Sequence, residues 1–388
     1  MTASHERTLS VEVCTDGRAF AELAGDWERL YRACPSATPF QSHAWLHSWW
    51  LSYGSPGALR LVLVRRGGEL VAAAPLMRVR RPLPALVPIG GEITDFCDVL
   101  VDEAVGVAGA AALADAMGDL ARTALVDFGE VRPGGAMERV YLCWRGPRRR
   151  MRDSVCLNLP AVPMKELVGR LPVTRAGRVR RKVNQLGRLG LEWRVVGHGH
   201  DETEAALRRL LELHRLQWEG RRVSPEHLRP RFLEHLVRAA VPLARTGRAV
   251  TTEFVCEGTV VAVNIMLLSG TMAGMYMYGF HPQLRDRKVD IAAMLLHAAT
   301  GHLEADEFLA SGEVRTLSML RGAEPYKYRW CPDTAVNQRF LLARRRTRPL
   351  LAAAAAGDAA RRRAKKLLRK DATGPALTEG APPAAHSG

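Results

Sequence analysis

The 388-residue sequence predicts an α/β (α+β) fold made of two copies of one unit in tandem. The chain is longer than one ordinary core requires, so two domains are expected. Helix and strand signals recur in the same order in each half: helix, helix, hairpin, further strand, helix, strand. Sliding "GELVAAAPLM" (68–77) onto "GTVVAVNIML" (258–267) also lays Gly68 on Gly258 and Val71-Ala72 on Val261-Ala262. Any two antiparallel hairpins can look alike, so this overlay counts only together with the shared order, which is the mark of an internal repeat.

The first half opens on the alternating strand "LSVEVCT". A helix over about 18–33 follows, with Phe20, Leu23, Trp27 and Leu30 on one face. Ser42 is a natural N-cap for "SHAWLHSWWLSYG", whose Trp45, Trp49 and Trp50 read as core. Gly67-Gly68 joins the apolar runs of "LRLVLVRRGGELVAAAPLMRVR" into a hairpin. "GGEITDFCDVLVDE" reads as loop and strand, 104–123 as an alanine-rich helix, and "ALVDFGEV" as strand.

In the second half, 202–220 places Leu207, Leu210, Leu211, His214 and Trp218 on one helical stripe, and a further helix covers about 229–245. Three strands follow within 248–280, turning at Glu257-Gly258 and Ser269-Gly270. The helix "DIAAMLLHAATGHLEADEF" leads to the strands "EVRTLSML" and "AVNQRFLLA". Beyond 343 comes a basic helix and then "DATGPALTEGAPPAAHSG", a composition expected to be disordered.

The formal charge of +16 is uneven. Residues 344–370 hold eleven Lys/Arg against one acid, about +10 of the total. Such a tail can meet tRNA or another anionic surface without bearing on a catalytic pocket. Seven scattered cysteines make no CxxC or CxxH spacing, so neither a zinc site nor a disulfide framework is expected. No run of about 18 apolar residues spans a membrane. "MTASHERTLSVEV" has no secretory pattern, and a cytoplasmic location is expected.

The ordered set "PFQSHAWLHSWW", "LVAAAPLM", "GGEITDFCDVLVDE", "LHRLQWEGR", "MYMYGFHPQLRD" and "LRGAEPYKYRW" resembles the GNAT-like acetyltransferases of the CelD/BcsL type, associated with cellulose biosynthesis. That family is similar in turn to the tandem-GNAT Fem-type aminoacyl transferases. The resemblance implies two GNAT-like domains, 8–160 and 161–343, the second being the active half, with a tail over 344–388. Each would be a mixed, mostly antiparallel sheet flanked by helices. It implies transfer from acetyl-CoA or another acyl-CoA to a small-molecule amine or hydroxyl, with no permanently bound cofactor and no metal. The alternative is a Fem-like aminoacyl-tRNA donor, which the Arg-rich stretch "TRAGRVRRKVNQLGRLG" (174–190) would suit.

The resemblance locates the donor's pyrophosphate cradle before the helix that opens near Asp290. Arg285, Arg287, Lys288, Asp290 and Ala292 are its candidate residues. Asp290 stands where the family's glycine-rich pattern carries its first Gly. An aspartate is a sound N-cap, yet its charge would face the pyrophosphate. In "LRGAEPYKYRW", Gly322 and Pro325 shape a turn, Tyr326 is a candidate acid for the leaving group, and Lys327 and Arg321 are candidates to hold substrate. Arg321 and Glu324 are expected to pair across that turn, and Glu324 and Arg329 to form a solvated rim. Tyr276 and Tyr278, two apart on a strand, are expected to point the same way, and Tyr278 is a candidate cleft residue. Asp95 is a candidate general base, with Asp98 on the opposite face if the segment is a regular strand. His214 reads as a packed helix histidine.

Overall fold

The structure, a computed structural model, describes residues 8–219, 224–306, 308 and 314–371, with side chains to residue 364. The expected disordered end lies outside the described residues after Asp371. So do 220–221 of "LHRLQWEGR" and the first residue of "EVRTLSML".

The first half runs β1 (Leu9–Cys14), α1 (Gly17–Glu22), α2 (Ala24–Ala33), α3 (His43–Tyr53), β2 (Leu59–Arg66), β3 (Glu69–Val79), β4 (Ala85–Pro88), β5 (Leu100–Val101), α4 (Gly106–Leu120), β6 (Leu125–Val131), α5 (Ala136–Cys143) and β7 (Arg148–Pro160). The second runs α6 (Met164–Gly169), α7 (Val173–Arg188), β8 (Leu191–Val195), α8 (His200–Gln217), α9 (Pro230–Arg245), β9 (Ala249–Cys256), β10 (Thr259–Leu268), β11 (Met272–Phe280), α10 (Gln283–Asp286), α11 (Ile291–Ala305), β12 (Thr316–Arg321), α12 (Pro325–Tyr328) and β13 (Asp333–Leu342). The basic helix α13 (Arg348–Asp371) follows.

Local chemistry accounts for most boundaries. The Ser42 side chain accepts from Trp45 N and starts α3, as its sequence position implies. The helix expected over 18–33 is broken instead: Leu23 N–H bonds back to Phe20 O at 3.3 Å, closing α1 and opening α2. Phe20, Leu23, Trp27 and Leu30 are still buried together, so packing survives the break. The buried face of α8 is also turned from the expected stripe. Leu207, Leu210 and Leu213 are buried, Leu211 only partly, and Trp218 falls at the C-cap.

The described strands all join one sheet in the order β1-β2-β3-β4-β6-β13-β7-β12-β11-β10-β9-β8, with β5 on β3. Matching β1 to β8, β2 to β9, β3 to β10, β4 to β11, β6 to β12 and β7 to β13 makes this order a palindrome. The two units are tandem copies, and they exchange their last strands. β13 pairs with β6 of the first unit, and β7 pairs with β12 of the second. β7 and β13 then pair with each other along the pseudo-twofold. The sheet is antiparallel except at β4–β6 and β11–β12, again equivalent places. Helices α3 and α9, each preceding its unit's hairpin, also meet: Ser48 Oγ donates to His235 O at 2.8 Å, and the Trp45 and His235 rings lie 4.6 Å apart.

Candidate functional site

Parallel pairing places a slot in each unit. In the second, pairing ends at Gly274–Ser318 while β11 continues to Phe280 and β12 to Arg321, so the strands part. In the first, β4 and β6 pair only at Ala85–Leu125 and Leu86–Val126, but the loop after β4 comes back along β6, with Cys97 N–H bonded to Glu130 O at 2.9 Å. One slot is therefore occupied by its own loop. That loop also forms a wall for the other slot.

At the mouth of the second slot lies a cleft of about 340 Å³, with Glu92, Ile93, Asp95 and Ser154 from the first unit and Tyr276, Arg321, Gly322 and His227 from the second. Arg321 organises this seam. Its Nε and backbone N–H both donate to Asp95 Oδ1 at 3.1 Å, Nη1 donates to Glu130 Oε1 at 3.1 Å, and Nη2 donates to Glu92 O at 2.7 Å. The expected Arg321–Glu324 pair is not made. The left-handed backbone of Leu320 (φ 57°) and the turn at Gly322 (φ 110°) aim Arg321 across the seam, where two half-buried carboxylates outcompete an exposed one. Burial disfavours the guanidinium charge, but Asp95 and Glu130 outweigh it and raise its pKa. Three of five guanidinium N–H groups are used in these bonds, which leaves two for a ligand.

Asp98 belongs to the fold rather than to the cleft. The segment is not a strand, and the Asp98 carboxylate accepts from Ala136 N and Met137 N at 2.8 Å, capping α5. Burial moves its pKa up to about 6.

Tyr276 and Tyr278 do not point the same way. Met266 pairs with Met275 and Ile265 with Met277, so Tyr276 is a bulge residue and the alternation shifts there. Tyr276 turns to the first unit, packing on Trp45 at 5.1 Å and donating its hydroxyl to Ile93 O at 2.8 Å. Tyr278 stacks on Phe280 at 6.3 Å and lies beside Tyr326. Burial, with Tyr278 beside it, raises the Tyr326 pKa. Lys327 is buried, donating to Arg321 O and pairing with Glu324 Oε2, each at 2.9 Å. Within the turn over 321–330, Lys327 and Trp330 are buried, while Glu324 and Arg329 are exposed, the solvated rim expected of them.

The donor loop is largely engaged with its own chain. Asp290 Oδ1 accepts from Ala293 N at 3.1 Å, placing a carboxylate at the start of α11, while Ala292 is in its first turn. Arg285 donates to Gln217 O and covers the Phe280 ring at 4.9 Å. Arg287 pairs with Glu257 at 3.4 Å, and Lys288 takes a left-handed backbone (φ 56°). Lys182 Nζ and Gln185 Nε2 of α7 hold the carbonyls of Lys288 and Arg287 at 2.7 and 3.2 Å.

Sequence reasoning missed His227. It sits in the 3₁₀ turn Pro225–Leu228, stacked on Phe232 at 4.8 Å, with Nδ1 3.4 Å from His214 Nε2. His214 Nδ1 is 2.9 Å from Tyr278 O. His214 is packed on its helix, as expected, but it is also linked to a cleft residue. This approach needs Gly279, where a Cβ would come 2.4 Å from Leu210 O and His214 N. Burial lowers the pKa of His214, and burial with His214 opposite pushes His227 down to about 4. Nothing in the sequence around "SPEHLRP" marked this residue. Only the helix-on-strand contact brings it to the seam.

Among the described residues no His/Cys/Asp/Glu cluster fits a metal ion, the cysteines are free, and no helix is long and apolar enough to cross a membrane. Residues 174–328 match the acetyltransferase (GNAT) domain family. None of the curated proteins matches the chain. Among solved structures, FemX superposes with a TM-score of 0.59 at 11% identity, covering 84% of this chain and 97% of its own. The C-terminal domain of a putative lysylphosphatidylglycerol synthetase from Agrobacterium fabrum gives 0.53 at 10%, covering 86% and 96%. L-PGS from Bacillus licheniformis gives 0.53 at 11%, covering 87% and 95%. The second half of this chain therefore carries an acetyltransferase (GNAT) domain, and the chain as a whole has a tandem fold similar to that of FemX.

Proposed function

We propose that the chain transfers an aminoacyl group from a tRNA ester to an amine or hydroxyl acceptor in the seam cleft. The observation that carries this choice of donor is Asp290. Its carboxylate already occupies the helix N-terminus where a CoA pyrophosphate would need the N–H groups and the positive end of the dipole. A nucleic-acid donor needs no such cradle. It needs cations along its path, and α7 supplies Arg178, Arg180, Arg181 and Arg188, all exposed, on the helix whose Lys182 is tied to the donor loop. The likeness to FemX and to synthetases of lysylphosphatidylglycerol supports the same donor class.

In this reading the ester lies in the β11–β12 slot and its carbonyl reaches the cleft. The free N–H groups of Arg321 meet the oxyanion as it develops. Tyr326, with its raised pKa, stays protonated and available as an acid toward the leaving oxygen. Lys327 fixes the turn and keeps positive charge near the transferring group. Asp95 positions Arg321, in place of the base role its sequence position invited. The second half is the working one, because its slot alone is clear of its own loop. A small acceptor, a cytoplasmic location and the CelD/BcsL affinity of the motif set belong to the same proposal.

One observation favours a second donor, acyl-CoA: the GNAT domain match covers the strands, slot and donor loop of the second unit. Titration separates the two. Binding of a mixed bacterial aminoacyl-tRNA pool that weakens steeply with salt, with no rise in melting temperature in acetyl-CoA, is the expected result. A clear melting shift with acetyl-CoA and no tRNA binding would sink the tRNA reading.

A further inference from the structure

We infer that His227 is the general base of the transfer and that His214 is its positioning residue, the two forming a relay anchored on the Tyr278 carbonyl. The inference rests on the transfer reading above but not on which donor is used.

The tautomers follow from chemistry. A carbonyl oxygen only accepts, so His214 must carry its proton on Nδ1 to bond Tyr278 O at 2.9 Å. A neutral His214 then has a lone pair on Nε2, and His227 Nδ1, 3.4 Å away, must be the donor. That leaves Nε2 of His227 unprotonated, and among the described residues it has no protein partner. His227 lines the seam cleft together with Arg321 and Tyr276, and it also lines the larger groove between α8 and α9. Its free lone pair therefore sits where an acceptor entering from that groove would meet the donor carbonyl. Among the described residues no other histidine lines this cleft.

The groups around His227 keep it neutral and ready. His214 faces it from α8, Phe232 covers one ring face from α9, and Glu226 precedes it in the chain. Arg231 is held by Glu226, and Asp95, Glu92 and Arg321 lie across the cleft. Burial and His214 outweigh Glu226, so the imidazole is unprotonated at neutral pH. In the step itself, the acceptor nitrogen forms a bond to the ester carbonyl carbon as the carbon–oxygen bond to the donor breaks. The amine proton passes to His227 Nε2 while Tyr326 protonates the leaving oxygen, and exchange through solvent returns the imidazolium proton to the phenolate. The products are an amide, a free hydroxyl and the neutral imidazole again.

Two measurements on the full chain test this. In long-range proton–nitrogen spectra of histidine-labelled protein, both His214 and His227 should show the Nδ1–H tautomer, the minor form of free imidazole, and His227 should not protonate above about pH 5. An Nε2–H tautomer at His227, or titration near its ordinary value, overturns the relay. In a transfer assay with labelled aminoacyl-tRNA and glycinamide as acceptor, and with acetyl-CoA as the alternative donor, His227→Gln should lose about 10²–10³-fold in rate. His227→Ala should recover rate with added imidazole, which a purely structural role would not allow. His214→Phe should free the tautomer of His227, so that an Nε2–H form appears in the same spectra and the transfer rate falls. Active wild type with His227→Gln within threefold refutes the base role and spares the transfer reading. Wild type inactive with both donors refutes both.

Discussion

Replacing Arg321 with methionine should strand two carboxylates at the junction of the tandem units. The Asp95 and Glu130 side chains are only 14% and 18% exposed, and Arg321 itself is 24% exposed. Removing one partner of such a buried network costs about 3–5 kcal/mol, chiefly because the remaining charges lose their counterion. Here each carboxylate keeps other donors: Asp95 retains the backbone N–H of residue 321, and Glu130 retains Asn337 Nδ2 at 2.8 Å and Ser154 Oγ. The lower end, about 3 kcal/mol, is therefore expected, or a fall of about 6 °C in melting temperature at roughly 2 °C per kcal/mol for a chain of this size. Adding Asp95→Asn and Glu130→Gln to Arg321→Met removes the stranded charge and should restore about half of the loss. A scanning fluorescence melt at pH 7 is the assay. A fall under about 2 °C would mean the network behaves like a solvated surface pair, and equal falls in the single and triple variants would mean that charge burial is not what the arginine relieves.

Other outcomes follow from the same structure. Gly279→Ala should lift α8 from β11, costing about 1–3 kcal/mol in a melt and reducing transfer. Asp290→Ala removes a helix cap and should cost about 1 kcal/mol in the same assay. Burial, with Arg238 nearby, pushes the His235 pKa down to about 3, so the folded state keeps this imidazole neutral while the unfolded chain takes up a proton below about 6.5. Stability should then fall by about 1.4 kcal/mol per pH unit from this group as pH drops from about 6.5 toward 3, and His235→Leu should flatten that slope in acid-unfolding curves. Ending the chain at Ala343 should lower the melting temperature, because Leu350, Leu351 and Ala355 of α13 pack on Leu125 and Leu341, and Asp358 faces Arg339 at 3.5 Å.

The duplicated hairpins, the N-cap of α3, the glycine turn between β2 and β3 and the length of α11 were all legible, because hydrophobic period and turn chemistry act locally. The thirteen-residue β7 was not. "RRRMRDSVCLNLP" opens with arginines where a central strand is expected to be apolar, and only its exchange into the other unit makes it one. The short β4 and the helix α5 were missed with it. The contrast at the site has the same cause. The turn after β12 announced itself by Gly322, Pro325 and its cluster of charges, yet the true partners of Arg321 lie on Asp95 and Glu130, 226 and 191 residues away. Tyr276 and Tyr278 part because a bulge inserts one residue, which no two-residue alternation can foresee. His227 became visible only through a glycine that lets a helix backbone settle on a strand.

Single-turnover loss of labelled amino acid from a mixed aminoacyl-tRNA pool, with excess enzyme and glycinamide, puts the seam chemistry to the test most directly. The account predicts amide formation by the wild type that acetyl-CoA does not inhibit and that falls at least tenfold in Arg321→Met at a temperature where both proteins are folded. Label that stays on the tRNA at the uncatalysed rate, or transfer that Arg321→Met leaves unchanged, would contradict it.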